Sequence, residues 1–441
     1  MNARAYLNVT LLVSLPCWAQ VVPTATSGDA TRDAGYQMSV PPTVSGEAYP
    51  SITAAEVRSN YLRTSLAVTA AYNDNVLPDN GATPISDVLY SVAPTVALDR
   101  ATPKMHETFS YSPGFTFYQR TSALNAADQN GSLNMKYHFS PYLAIGISDS
   151  VYKSSNVFNQ TYGGILGTAS ASTATVVAPY LDQIGNNANA VLSYQFGKNA
   201  MVGASGTSGI ANYSDQSQAT GLANSNSRGG LAFYNYRIGG GQYVGAAYQY
   251  SYMQSTSETE ESDTQLHSLY PFYMINLKNA LSISIAGGEQ KYTVTGLSLQ
   301  AHGSWTPTVV ASMGLQKNHV NYAASFSRTV MGNSGVLGTY HSNSASALAR
   351  WKLAQSFAVS SQASYFIQKN VLLSSLVTGQ NGHTVSGSCS AEYTFGEHLT
   401  LIAGYQRLHQ SYNGVAVIAI APNANREFIS FTYTFSRPLG K

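Results

Sequence analysis

The chain has 441 residues, yet only 10% of them are charged, and 23 Lys and Arg residues against 21 Asp and Glu residues give a formal net charge of +2. About a quarter of an ordinary soluble domain is charged. So small a net charge produces no strong field to attract nucleic acid or an acidic substrate. The 31 tyrosines and 37 glycines favour half-buried strands, but the composition does not indicate a substrate.

The first twenty residues have the three parts of a secretory signal peptide. Arg4 follows the amino terminus, residues 6–15 are apolar, and Ala19 ends a short segment that begins at Pro16. This apolar stretch is too short to span a bilayer, which takes about twenty residues. We therefore predict a signal peptide at residues 1–19. Cys17 offers the alternative of a lipoprotein, which the preceding proline disfavours.

Residues 20–59 are rich in Thr, Ser, Ala, Pro and Gly and show no apolar periodicity. This composition predicts a disordered periplasmic linker, and a segment that binds the cell wall or a partner protein is the alternative. We then expect an outer-membrane β-barrel over residues 60–435 and a short periplasmic tail at 436–441. Signal cleavage leaves Cys389 as the one cysteine, so packing and backbone pairing must supply the stability.

After residue 60 the dominant pattern is alternation of apolar and polar residues, which places the apolar side chains on one face of a strand. In the last strand four apolar residues alternate with three hydroxyl residues. The apolar ones are Ile429, Phe431, Tyr433 and Phe435, and the polar ones are Ser430, Thr432 and Thr434. The pattern recurs at residues 108–117, 133–139, 357–365 and 385–395. We expect one face of nearly every strand to be hydrophilic.

Short turns alternate with longer polar loops. Segments with hairpin composition are 99–104, 140–142, 197–199, 239–241, 278–280, 316–319, 354–356 and 396–398. The longer connections are 76–86, 121–128, 153–185, 214–227, 255–262, 293–302, 330–340, 369–382 and 411–425. They delimit about eighteen strands, an even number with both termini on the short-turn side, as outer-membrane barrels require. Sixteen strands are the alternative count, because Pro307 and two glycines interrupt the alternation of one strand between residues 293 and 307.

These strands predict an all-β fold, a transmembrane antiparallel β-barrel in the cell outer membrane of a Gram-negative bacterium. A propeller has a similar repeat near forty residues, but its blades hold four short strands where this repeat holds two long ones. A β-solenoid would show a shorter, stricter repeat. A closed barrel leaves no unpaired strand edge in hydrocarbon, so its apolar face contacts lipid and its hydrophilic face lines the interior.

Several short stretches resemble a known family. They are residues 71–76 (AYNDNV), 86–87 (SD), 93–94 (AP), 325–328 (SFSR) and 435–441 (FSRPLGK). They are similar to the outer-membrane β-barrel proteins abundant in acidobacteria, and the first-strand pattern also resembles exopolysaccharide-associated β-barrel porins. The resemblance implies a barrel fold, an outer-membrane location and a link to saccharide passage or polysaccharide export. It transfers no catalytic residue.

Catalytic and metal-binding motifs are nearly absent. Residues 203–206 (GASG) and 332–335 (GNSG) come near a nucleophile elbow without its spacing, and the nine His residues lack metal-ligand spacing. We therefore expect no enzyme, no cofactor and no metal. A lipid hydrolase is the enzymatic alternative, since some outer-membrane barrels have that activity, and it would need a Ser, a His and an acid within hydrogen-bond reach.

The alternation also predicts which charged residues line the pore. The candidates on polar faces are His106, Arg120, Lys136, His138, Arg350 and Glu392. At one common height they would set an ion preference through their local field, and solvated side chains without a specific ligand are the alternative. Arg328 falls on an apolar face, so we expect it near an interface or beside a bulge.

Two predicted outer loops have distinctive compositions. One carries an acidic run, Glu258, Glu260, Glu261 and Asp263, which either binds divalent cations that bridge lipopolysaccharide or is simply solvated. The longest loop, 153–185, either folds inward and narrows the pore or covers the surface as a cap or adhesive element.

An unplugged barrel of this size leaves an aqueous channel. We therefore expect a porin-like channel for small hydrophilic solutes or saccharides, with a link to polysaccharide export. The alternative is a non-conducting structural or adhesive surface barrel closed by its loops. The expected partners are outer-membrane lipid and lipopolysaccharide, the outer-membrane assembly machinery and saccharides, with no nucleic acid.

Overall fold

The alternating segments form antiparallel strands throughout the described part of the chain. The computed structural model describes residues 60–76, 84–154, 182–213, 222–239, 241–257, 260–277, 281–296, 299–317, 319–331, 337–371, 381–413 and 423–439. The predicted signal peptide, the predicted linker, Glu258 and residues 155–181 of the longest loop lie outside these ranges.

Nine strands run in one direction and nine run back. The first set is β1 (Tyr61–Asn73), β3 (Met105–Tyr118), β5 (Leu143–Ser154), β7 (Ala200–Tyr213), β9 (Gln242–Thr256), β11 (Leu281–Gly296), β13 (Val320–Met331), β15 (Phe357–Asn370) and β17 (Leu399–Tyr412). The second set is β2 (Asp87–Ala101), β4 (Ala126–His138), β6 (Gln183–Gln195), β8 (Asn224–Gly239), β10 (Glu261–Leu277), β12 (Leu299–Lys317), β14 (Tyr340–Lys352), β16 (Gly382–Phe395) and β18 (Asn423–Pro438). A 3-10 helix at Ser122–Leu124 precedes β4.

The eighteen strands form one closed ring. Each strand pairs antiparallel with its neighbours in the sequence, and β1 pairs with β18 over thirteen residues, from Tyr61 opposite Pro438 to Asn73 opposite Arg426. Each strand therefore has a partner strand on both sides over at least part of its length, and the closed ring meets the condition for crossing hydrocarbon. The predicted barrel and its eighteen strands are confirmed.

The two ends of the barrel differ in their connections. The predicted short turns that the structure describes in full lie at one end, where Tyr61 and Pro438 also pair. We call this end the turn end and the opposite end, which carries the longer connections, the loop end. Most of those connections are a few residues shorter than predicted.

One predicted loop, at residues 293–302, is wrong. β11 continues to Gly296 and β12 begins at Leu299, and β12 is 19 residues long with Pro307 inside it. A bulge between Val294 and Gly296, with Gly296 at a φ of +100°, makes the sharp reversal. Pro307 is tolerated because β13 pairs with β12 only from Val309 toward the turn end, so this part of β12 is an edge.

The acidic run belongs only partly to the predicted loop, since Glu260 lies in the connection between β9 and β10. Glu261 and Asp263 belong to β10, where they pair with Thr256 and Gln254 of β9. Gln254 Nε2 donates a hydrogen bond to Glu261 Oε1. The strand extends this far because its ladder to β9 continues beyond the apolar part of the sequence.

Large apolar side chains cover the outer surface of the barrel. Phe117 is 52% exposed, Ile285 50% and Phe431 50%. An apolar surface of this extent is unstable in water and is what a bilayer requires of a barrel exterior. Within the described residues, no helix is both long and apolar enough to cross a membrane.

Inward-facing aromatic rings lie on glycines of neighbouring strands. The pairs are Tyr152 on Gly185, Phe233 on Gly203, Phe272 on Gly245, Tyr412 on Gly382 and Phe428 on Gly404. At Gly245 a Cβ would lie 2.3 Å from Cζ of Phe272. The glycines are needed because each ring occupies the space of the missing side chain.

Candidate pore

Much of the inner wall consists of hydroxyl groups that pair across neighbouring strands. Seven pairs have O–O distances of 2.7 to 2.8 Å. They are Thr69–Ser430, Thr95–Ser112, Ser110–Ser132, Ser284–Ser312, Ser325–Ser346, Ser327–Ser344 and Ser364–Ser386. In each pair one hydroxyl donates a hydrogen bond to the other, and both oxygens keep lone pairs that can accept a further hydrogen bond. The wall is therefore hydrophilic at these pairs, and for the strands outside β7 to β12 this agrees with the prediction.

Five of the six candidate pore residues lie on the inner face near the turn end, in two groups. In the first group, His106 of β3 pairs with Lys136 of β4, and His138 ends the same strand. His106 Nε2 is 3.3 Å from Asp99 Oδ1. In the second group, Arg350 Nη2 lies 2.8 Å from Glu392 Oε2 across β15. The groups lie at the same end of the barrel on different strands, and their part in ion selection stays a prediction.

The sixth candidate, Arg120, lies at the loop end. Its side chain is 66% exposed, and its Nε is 3.8 Å from Oδ1 of Asp87, which is fully buried. The Asp87 carboxylate accepts the backbone N–H of Arg120 at 3.0 Å and that of Thr121 at 2.8 Å, and the Thr121 hydroxyl at 2.6 Å. Asp87 thus fastens the turn after β3 to the start of β2, and Arg120 belongs to this rim.

The prediction missed several inward charges near the turn end. Strand register places Arg63, Asp99, Arg237 and Lys352 on the inner face. Among the described residues of this half of the wall, five cations therefore face two carboxylates. The cations are Arg63, Lys136, Arg237, Arg350 and Lys352, and the carboxylates are Asp99 and Glu392. The same alternation, followed to the strand ends, would have found these residues.

The expectation of a hydrophilic inner face is wrong for β7 to β12. There an apolar cluster lies on the inner wall: Met201, Phe233, Tyr243, Ala247, Tyr270, Phe272, Met274, Ala286 and Val310, each at most 9% exposed. Along β10 apolar residues occur on both faces, since Phe272 and Met274 point inward while Tyr273 and Ile275 point outward. When both faces of a strand are apolar, the alternation of apolar and polar residues does not indicate which face points into the barrel.

Four tyrosines meet inside the loop end of the barrel. They are Tyr152 of β5, Tyr213 of β7, Tyr340 of β14 and Tyr412 of β17, and none is more than 6% exposed. We call them the tyrosine cluster. The Tyr213 side chain lies near those of Tyr152 and Tyr412, and the Tyr340 side chain lies near that of Tyr412. β7 and β17 stand eight strands apart in a ring of eighteen, so side chains from nearly opposite walls meet across the lumen.

The loop ends of β13 and β14 also turn into the lumen. Beyond Arg328, β13 leaves β12 and pairs with β14 alone. The Val330 N–H then donates to Gln290 Oε1 of β11 at 2.8 Å, and Thr339 hydrogen-bonds Thr264 of β10. The rings of His341 and Tyr292 lie 5.9 Å apart. We call residues 329–331 and 337–341 the inner hairpin.

Apolar contacts hold the inner hairpin against the wall. Val330 and Leu337 pack with Leu266 of β10 and with Tyr292 and Val294 of β11. Arg328 stands where β12 and β13 separate, and its backbone carbonyl accepts a hydrogen bond from Thr308 Oγ1 at 2.8 Å. The inner hairpin and the tyrosine cluster together narrow the loop-end half of the lumen.

Aromatic side chains surround the turn end on the lipid side. Trp351, Tyr393, Phe395, Tyr433 and Phe435 are 41% to 54% exposed, as an interfacial aromatic girdle requires. A single-chain antiparallel barrel with an even number of strands and this exterior is the architecture of bacterial outer-membrane proteins. The protein therefore resides in the outer membrane, with the turn end toward the periplasm and the loop end toward the exterior.

Comparisons with known proteins find only distant likeness to solved structures. No family model and no curated protein matches the sequence. The chain is similar to OpdL of Pseudomonas aeruginosa, with 9% identity, 86% of this chain and 99% of that chain covered, and a TM-score of 0.40. It is also similar to the siderophore receptor PiuA of Acinetobacter baumannii, with 8% identity, coverage of 97% and 94%, and a TM-score of 0.44.

The ferric citrate transporter FecA is similar at 12% identity and a TM-score of 0.38, over 81% of this chain. The chain spans 61% of FecA and 63% to 64% of two variants of the FrpB iron transporter from Neisseria meningitidis. Identities and TM-scores at this level assign no family.

Three or more His, Cys, Asp or Glu side chains that could share a metal ion do not come together anywhere in the described ranges.

Proposed function

We propose that this protein is a porin-like channel of the outer membrane that passes small hydrophilic solutes and favours anions. The observation that carries the proposal is the inner wall of a closed barrel, lined by paired hydroxyls and, toward the periplasm, by an excess of cations. A barrel of eighteen strands encloses enough space for a water-filled path.

The cation excess supports the preference for anions. Arg350 and Glu392 neutralise each other at 2.8 Å, and His106 lies against Asp99. Arg63, Arg237 and Lys352 add to the positive charge of this half, and the net excess of cations over carboxylates raises the local concentration of anions. The field acts over about 8 Å at physiological ionic strength, so it affects solutes only where the lumen is narrow.

The inner hairpin and the tyrosine cluster support a limit on solute size. They reduce the cross-section at the loop end of the lumen. Small carboxylates, phosphates and short saccharides fit this combination of a polar wall and a narrow entrance. Saccharide passage and a link to polysaccharide export rest on the family resemblance.

A second candidate is a structural or adhesive surface barrel that does not conduct. The observation that favours it is the burial of the tyrosine cluster, since Tyr340 is fully buried and Tyr412 is 3% exposed. A seal formed by these side chains and the inner hairpin would leave the barrel with only its outer surfaces for function.

Single-channel recording in planar bilayers tests the proposal. The mature wild-type chain should give small, stable conductance steps, and the double variant Tyr213→Ala/Tyr412→Ala should give larger steps because two side chains leave the narrow region. The control is Tyr90→Ala, since Tyr90 faces outward and is 50% exposed. Silence of the wild type and of the double variant would overturn the channel and favour the structural barrel.

Liposome swelling separates the solute classes. We expect the mature chain to admit small anions faster than neutral saccharides of equal size, and saccharides faster than cations of equal size. Equal rates for all three classes would contradict the anion preference while leaving the channel intact.

A further inference from the structure

Basic side chains cluster on the outer surface of β15 to β17 near the loop end. They are Lys369 of β15, His383 of β16, and Arg407 and His409 of β17, and we call them the basic patch. Strand register places all four outside. Lys369 alternates with inward Gln368, His383 pairs with Ile367, and Arg407 pairs with outward Gly387.

Ring contacts hold the patch together. The His383 ring lies 5.2 Å from the His409 ring and 6.3 Å from the Tyr365 ring. His409 Nδ1 is 2.9 Å from Asn423 Oδ1, which fixes the orientation of the imidazole. Gly387, opposite Arg407, has no side chain to cover the guanidinium.

The patch is not neutralised on its own part of the surface. In the described residues of β13 to β17, strand register places no Asp or Glu on the outer face, because Glu392 points inward. The nearest outward carboxylates belong to β18 and the segment after β1, where Glu427 pairs with Tyr405 and Asp74 hydrogen-bonds Asn425.

Other parts of the outer surface near the loop end mix both signs. On β8 to β11 the outward cations Arg228 and Lys291 share the surface with Asp263 and Glu289. Lys291 lies over the Trp305 ring at 6.0 Å. This region provides a control, because its two cations also face outward near the loop end but share the surface with carboxylates.

The height of the patch indicates what it contacts. Directly toward the turn end from it, outward Tyr365, Val385 and Tyr405 are 44%, 39% and 40% exposed and belong to the apolar belt. The basic patch therefore stands at the outer boundary of that belt, where lipid head groups of the outer leaflet lie. Arg and Lys at such a boundary form charge-assisted hydrogen bonds with phosphate oxygens.

We propose that the basic patch binds the phosphate groups of a phosphorylated glycolipid of the outer leaflet, the lipid A part of lipopolysaccharide. The site is independent of the pore. Lys369 and Arg407 supply the permanent charges, and the neutral His383 ring adds one N–H donor between them. A bound lipid would lie along β15 to β17 with its acyl chains over the apolar side chains below.

Binding of purified bisphosphorylated lipid A to the mature chain in detergent micelles, measured by native mass spectrometry, tests the proposal. Each cation near an anionic head group changes binding about fivefold. The double variant Lys369→Gln/Arg407→Gln should therefore bind about thirtyfold more weakly, and Lys369→Arg should retain binding. The control Arg228→Gln/Lys291→Gln removes the same charge elsewhere and should bind like the wild type.

The probes distinguish the source of the phosphate. Dephosphorylated lipid A should lose affinity for the wild type to the level of the double variant, and inorganic phosphate should not displace lipid A at equal concentration. Unchanged binding by the double variant, equal loss in the control, or displacement by inorganic phosphate would overturn the site. Phosphatidylglycerol binding as strong as lipid A binding would overturn the glycolipid as its occupant.

Discussion

At the level of single residues, two kinds of buried contact secure the barrel. Asp87 is a buried carboxylate whose hydrogen bonds fasten the turn after β3 to β2. The glycines under inward aromatic rings are positions where even a methyl group has no room. Sequence alone indicated neither, because the partners of Asp87 lie more than thirty residues away.

Asp87→Asn should lower the free energy of unfolding by about 2 to 3 kcal/mol. The asparagine amide lacks the negative charge that strengthens these hydrogen bonds. Its NH2 group would also face the N–H and hydroxyl donors of Thr121, so that donor meets donor. Urea titration in lipid vesicles measures the change. The control is Glu107→Gln, whose partner Arg100 is 3.6 Å away and 54% exposed, and it should cost under about 1 kcal/mol. Equal losses in the two variants would contradict a special role for Asp87.

Gly245→Ala should destabilise the barrel by about 1 to 3 kcal/mol, as overpacking does. The new methyl group would lie 2.2 Å from the Tyr234 backbone oxygen and 2.3 Å from the Phe272 ring. Gly146→Ala is the control, because nothing lies within 4 Å of that position. The same urea titration compares them, and an unaffected Gly245→Ala variant would show that the ring does not occupy this site in the bilayer.

At the level of elements, the strands were predictable and the inner hairpin was not. Alternation and turn composition are local, so the sequence indicated the strand number and the short turns within the described ranges. The start of β12 was not predicted, because a proline such as Pro307 usually marks the end of a strand. The sheet accommodates this proline only because β13 does not pair with that part of β12. That separation depends on contacts such as Gln290 with Val330, 40 residues apart, which leave no local pattern.

Thr264→Cys with Thr339→Cys should form a disulfide in the folded barrel. The two hydroxyls are hydrogen-bonded, which brings their Cβ atoms near disulfide range. Cys389→Ser is included to remove the competing thiol, and peptide mapping after mild oxidation measures the bond. The control pair Thr264→Cys/Ser386→Cys places the second thiol on β16 and should not cross-link. Failure of the first pair would contradict an inner hairpin docked on β10.

At the level of the whole molecule, a closed polar-lined barrel is held narrow at its outer end and carries positive charge toward the periplasm. Alternation located five of the six candidate pore residues on the inner face near the turn end. It did not show that Arg120 follows the end of β3 and lies at the loop end. It also did not identify the tyrosine cluster, because inward-facing aromatic residues make the inner face of a strand look apolar in the sequence. The excess of positive charge becomes visible only in the closed barrel, where Arg63, Arg237 and Lys352 lie together on the inner face near the turn end.

The reversal potential of the protein in a planar bilayer, under a tenfold gradient of potassium chloride, tests most directly whether the inner cations select anions. We expect a potential that shows chloride passing several-fold faster than potassium. The variant Lys136→Glu/Lys352→Glu, which turns an excess of three positive charges into an excess of one negative charge, should prefer potassium. A wild-type channel that prefers potassium, or a variant with unchanged selectivity, would contradict the inner cations as the selecting element.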